Sequence, residues 1–78
     1  MRFLLKDTIR ECSIVERSKS IINIHCIDEH QYEIDCKTPE NAQKFLTEIF
    51  KNGYIDPGEY DIYYIDTFLY ERKLVSNR

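Results

Sequence analysis

The residues able to do chemistry in this chain are two histidines, His25 and His30, three cysteines, Cys12, Cys26 and Cys36, and fourteen acids. His25 and Glu33 have the types of a general base and its orienting carboxylate, and Cys26 adjoins His25. A zinc ion needs Cys and His ligands that converge, yet neighbours on a strand point to opposite faces. His25 and Cys26 therefore cannot share an ion, and no Ser or Cys nucleophile accompanies His25 and Glu33 on their face. The three thiols lie in apolar or acidic stretches, which raise a thiol pKa, whereas a nucleophilic cysteine needs a lowered one. With Gly53 and Gly58 the only glycines, there is no glycine-rich phosphate cradle. The expectation is a protein that is not an enzyme and uses no cofactor and no metal.

The elements that must position these groups can be read from the pattern of apolar residues. In "KTPENAQKFLTEIFKNGY", Thr38 is the N-cap, Pro39 the first helical residue and Glu40 the acid facing the positive helix end. Ala42, Phe45, Leu46, Ile49 and Phe50 form one apolar stripe, and Gly53 stops the helix, with Tyr54 folding back on its last turn. Upstream, "SIINIHCIDEHQYEIDC" reads as a β-hairpin. A two-residue loop Glu29-His30 would put Ile22, Ile24 and Cys26 on the face of Gln31, Glu33 and Asp35. A three-residue loop Asp28-Glu29-His30 instead pairs Cys26 with Tyr32, Ile24 with Ile34 and Ile22 with Cys36, sets His25 opposite Glu33, and leaves His30 left-handed. A strand from Ile9 to Glu16, turning at Ser18-Lys19-Ser20, completes a three-stranded meander. After the helix come a turn at Asp56-Pro57-Gly58-Glu59, a strand from Tyr60 to Ile65, and a tail after Asp66 that fits either a strand or a short helix capped by Asp66 or Thr67. The fold expected is α+β: a three-stranded antiparallel meander with one amphipathic helix packed on the sheet, then a further strand, all in one small domain over residues 1–78.

An odd number of cysteines without a C-x-x-C pair, and no long apolar run in Met1 to Thr8, lead us to expect a reducing, cytoplasmic setting. Cys12 facing Cys26 is the one disulfide to be tested. No stretch approaches the roughly 18 apolar residues of a membrane span, so no membrane partner is expected. The net charge is only −3, but it is segregated. Asp28, Glu29, Glu33 and Asp35, and again Asp56, Glu59, Asp61 and Asp66, occur in stretches free of Lys and Arg. "EYDIYYID" places Tyr60, Ile62 and Tyr64 on one face and Asp61, Tyr63 and Ile65 on the other, so both faces want cover. In one reading the first three join the core while Tyr63 and Ile65 lie under the C-terminal segment. In the other, Tyr63, Tyr54 and Tyr70 belong with Asp56, Glu59, Asp61 and Asp66 to an interface for a protein with a basic surface. The alternative partner is nucleic acid, bound by Arg10, Arg17, Lys19, Arg72 and Lys73 gathered at one edge. A third reading is a homodimer formed through a spare strand edge or the Tyr63 face.

The run "YEIDCKTPENAQKFLTEIFKNGY", residues 32–54, resembles the strand-to-helix segment of small type II anti-CRISPR proteins, phage-encoded inhibitors of an RNA-guided nuclease. The likeness rests on the extended Y-x-I strand, the Glu40-Asn41 helix start, Lys44-Phe45 and the "FKNGY" end. It implies an inhibitor whose acidic side chains enter the site where the nuclease reads its short duplex motif with arginines. The acids in the matching region after the helix are Asp56, Glu59, Asp61 and Asp66, and a proline-glycine turn stands where that family carries a denser acidic run.

Overall fold

Thr38 opens the helix as its residue type dictates: its backbone is extended and its hydroxyl accepts the Asn41 N–H at 3.1 Å. Pro39 follows where a missing N–H costs nothing, and α1 runs Pro39–Asn52. Gly53 ends it at φ 81, where a side chain would be strained, and donates its N–H to the Ile49 carbonyl at 3.0 Å. The computed structural model describes residues 4–56 and 60–76. In chain order these form β1 (Leu4–Leu5), a 3-10 turn (Lys6–Thr8), β2 (Ile9–Ile14), β3 (Ile21–Cys26), β4 (Gln31–Asp35), α1, β5 (Tyr54–Ile55), β6 (Asp61–Asp66) and β7 (Glu71–Ser76).

The fold is α+β, one helix on an antiparallel sheet ordered β2-β3-β4-β6-β7, with β1 and β5 pairing as a separate ribbon. The ambiguous tail is a strand. β7 pairs beside β6 through Tyr63–Leu74 and Ile65–Arg72, so it widens the sheet and does not lie over Tyr63 and Ile65 as one reading expected. The core joins Ile22, Ile24, Cys26, Ile34, Cys36 and Ile62 of the sheet side to Ala42, Phe45 and Ile49 of the helix, with Leu4, Ile55 and Tyr60. Phe45 is fully buried and meets the Tyr60 ring edge-on at 5.2 Å. Phe50, expected in the same stripe, is instead 63% exposed, with the Lys6 ammonium 5.2 Å from its ring centre.

The β3–β4 hairpin has the expected faces but a different register. Ile24 pairs with Tyr32 and Ile22 with Ile34, while His25 lies opposite Gln31 and Glu33 opposite Asn23. The loop is still three residues, but it is Ile27-Asp28-Glu29, and Glu29 rather than His30 is left-handed, at φ 75. Three bonds fix it there: Cys26 N–H to His30 O, Glu29 N–H to Cys26 O, and His30 N–H to Asp28 Oδ1. Ile27 leaves the ladder because its N–H donates to Thr8 O at 2.9 Å. A shift of two positions preserves the alternation of faces, so the apolar side survived the slip. Between β2 and β3, Cys12 lies opposite Ile24, and it is Ile9 that faces Cys26, so the expected Cys12–Cys26 juxtaposition does not form. All three cysteines are free thiols. Of the turn expected at 56–59, residues 57–59 lie outside the described residues.

These placements separate two phenylalanines five residues apart. Phe45→Ala is expected to cost about 3–5 kcal/mol by leaving a core cavity. Phe50→Ala should stay within about 1 kcal/mol because its ring is mostly in water. Urea unfolding of both variants measures the difference.

Candidate functional site

Side chains that point away from α1 form an open face, and most of its charges are paired. Lys37 sits just past β4 in a left-handed conformation, φ 71, its N–H donating to Asp35 Oδ1 at 3.0 Å. Its ammonium reaches Asp61 at 2.7 Å and Asp35 at 3.5 Å. Asp35 and Asp61 stand directly opposite across β4 and β6, an arrangement that repels unless a cation lies between. The hydrogen bond that Lys37 donates to Asp61 and the charge of Asp35 raise its pKa above the ordinary value. Next along the face, Arg72 lies 3.3 Å from Glu33 and stacks its guanidinium 4.0 Å from the Tyr63 ring centre.

A third cluster joins Arg10, His25 and Glu29. Arg10 Nη1 is 3.0 Å from Glu29 Oε1, Arg10 Nη2 is 3.0 Å from the His25 ring, and His25 Nε2 is 3.1 Å from Glu29 Oε2. Arg10 Nη2 lies 3.0 Å from both ring nitrogens, so the ring's donor and acceptor roles toward Arg10 and Glu29 follow from its tautomer. The hydrogen bond from His25 and the charge of Arg10 lower the Glu29 pKa. His25 thus takes Glu29 as its carboxylate in place of the expected Glu33. Ser13 shares a shallow depression of about 290 Å³ with Glu11, Asn23, His25, Gln31 and Glu33, but both ring nitrogens of His25 are already engaged by Arg10 and Glu29. Among the described residues no three His, Cys, Asp or Glu side chains stand together as a metal site.

The hairpin turns define a second region. β3 and β6 run the same way, each antiparallel to β4, so the 27–29 and 67–70 turns lie at one end of the sheet. The 3-10 turn and the C-terminus of α1 lie there too, since Thr8 O accepts from Ile27 and Gly53 O from Lys6. Asp66 Oδ1 accepts the N–H groups of Phe68 and Leu69, both at 3.0 Å. Capping chemistry foreseen for a short helix here closes a β-turn, and Tyr70 at φ 56 turns the chain into β7. The result holds Phe68 88% and Tyr70 93% exposed, with Leu69 beside them and Ile27 62% exposed on the neighbouring turn.

The expected interface residues do not form one surface. Asp61 and Tyr63 are on the open face, Asp66 and Tyr70 at the turn end, and Tyr54 with exposed Asp56 at the β1–β5 ribbon; Glu59 lies outside the described residues. Nor do the basic residues gather at one edge. Arg10 is on β2, Arg17 and Lys19 follow it in the β2–β3 turn, and Arg72 and Lys73 are on β7. β2 and β7 are opposite edges of the sheet. Sequence reasoning missed the bridging role of Lys37 and the exposed Phe68 and Leu69. The signal for the turn was the Asp66-Thr67 start, which is turn as well as cap grammar. No helix among the described residues is long and apolar enough to cross a membrane. No protein-family model, curated protein or solved structure matches the chain.

The thiols carry a pH prediction. Burial pushes Cys12 from its ordinary 9.0 up to about 11 and Cys36 up to about 12, and it raises Cys26 as well. Groups raised on folding give stability that is complete below the unfolded value and lost above it. Stability should therefore fall as pH climbs from about 9.0 toward 12, with Lys37 adding a loss of the same sign as it deprotonates. Denaturation at stepped pH follows this, and at pH 8 iodoacetamide should label the native chain far more slowly than the unfolded one. Lys37→Met should destabilise at neutral pH and do so less in acid, once Asp35 and Asp61 are protonated.

Proposed function

We propose that this chain is a protein-interaction module that docks through the aromatic-tipped, acid-rimmed end of its sheet. The observation that carries the reading is the outward display of Phe68 and Tyr70 on a turn stapled by Asp66. An aromatic ring held in water by a rigid turn is an anchor awaiting a pocket, and burying each contributes about 1.5–3 kcal/mol. Asp7 and Glu71 lie at this end with Asp28, Glu29 and Asp66, which pair with His30, Arg10 and Lys73, and acids so placed favour a partner with a basic surface. Asp66 and Tyr70 of the expected interface belong here. Asp61 and Tyr63 are occupied by Lys37 and Arg72, so they serve the sheet before any partner. A protein that handles nucleic acid offers the basic surface this end fits, and the likeness of residues 32–54 to inhibitors of RNA-guided nucleases supports a partner of that class.

Affinity capture from host lysate, with and without nuclease, tests the reading. Wild type should retain a stoichiometric protein after nuclease treatment. Phe68→Ser with Tyr70→Ser should lose it, since the rings touch little of the fold, while Asp61→Lys with Tyr63→Ala should keep it. A catch that vanishes with nuclease would replace this function by nucleic-acid binding. Retention by the serine variant would move the interface elsewhere.

A further inference from the structure

At the opposite side of the sheet from β7, the free edge of β2 and the flank of α1 form a groove with two apolar pockets in line. The first, about 210 Å³, is lined by Ile9, Cys12, Ile49 and Phe50, with Lys6 and Arg10 at its rim. The second, about 430 Å³, is lined by Ile14, Pro39 and Gln43, with Glu16 and Lys19 at its rim. Backbone parity ties the groove to the strand. Val15 N–H donates to Ile21 O, so Ser13 and Glu11 also turn their peptide groups inward to β3, because bonding direction alternates along an antiparallel strand. Cys12 and Ile14 then direct N–H and C=O outward, and among the described residues no strand pairs with that edge. They are also the half-buried residues whose side chains face the helix layer.

We infer that β2 is a peptide-binding edge that takes an extended segment of a partner protein as a sixth strand of the main sheet. A strand bonding to Cys12 and Ile14 has its bonded residues facing the helix layer too, so alternate side chains i and i+2 enter the two pockets. Those positions must be apolar. The charge of the rim sets the polarity of the occupant. Glu16 and Lys19 cancel at one end, while at the other Lys6, its ammonium over the Phe50 ring, is in no ion pair among the described residues and the Arg10 guanidinium turns away to His25 and Glu29. The segment therefore carries an acid just beyond the residue that fills the Ile9–Phe50 pocket. This site is separate from the turn end that displays Phe68 and Tyr70, and it stands or falls independently of it.

A random twelve-residue peptide library displayed on phage and selected on the folded chain supplies the probe, and the best binder is titrated into 15N-labelled protein. Enrichment of Φ-x-Φ with a flanking Asp or Glu is expected, together with amide shifts at Cys12 and Ile14 and at Ile49 and Phe50. N-methylating the peptide one residue at a time should weaken binding about tenfold at alternate positions and little between them, the signature of strand pairing. This leaves the protein unaltered, so a folding defect cannot mimic the result. No enrichment, a binder that shifts only residues 67–70, or a methylation pattern without period two would overturn the inference. So would concentration-dependent broadening of the Cys12 and Ile14 amides without peptide, which would give the edge to a second copy of this chain.

Discussion

One helix must cover five strands, and most of what the surface offers follows from that mismatch. A helix is about 10 Å across, while five strands at about 4.8 Å spacing span about 19 Å. The Ala42, Phe45 and Ile49 stripe seals the middle of one face over Ile22, Ile24, Ile34 and Ile62. What lies beyond its reach, the two edges and the far face, has to be made tolerable in water by other means. Among the described residues there is no second α-helix to cover them.

The far face is managed by charge. Asp35 and Asp61 share Lys37, Glu33 takes Arg72, and Glu29 takes Arg10 and His25. Exposed pairs of this kind contribute little each, but they remove the repulsion that like charges on neighbouring strands would create. Asp7 and Glu71, which are in no such pair among the described residues, lie at the turn end around Phe68 and Tyr70. The edges differ in kind. β7 carries Arg72 and Lys73, charges of the sort that discourage strand addition, whereas β2 opens onto a groove beside the helix.

The cysteines fit the same plan. Cys26 and Cys36 are buried with the isoleucines and Cys12 packs against the core, so their raised pKa values reflect use as small apolar side chains. Their alkaline linkage comes from that burial. It implies no reactive role.

The helix was legible residue by residue, from Thr38 and Pro39 to Gly53, because caps and a 3.6-residue stripe are local chemistry. The hairpin faces were legible for a related reason: apolar alternation has period two, and a register slip of two leaves it unchanged. The slip itself was decided by contacts remote in sequence, above all the Thr8 carbonyl that draws Ile27 out of the ladder. Phe50 carried the periodicity of the stripe, yet lay beyond the width of sheet available to cover it. The tail could be strand or helix until β6 presented an edge to pair with, and residues 71–76 took it. Which charges meet was equally beyond local reading. Strand order put Arg10 and Arg72 at opposite edges and brought Lys37 between two facing aspartates, because side chains interact across the sheet at distances set by pairing and not by position along the chain.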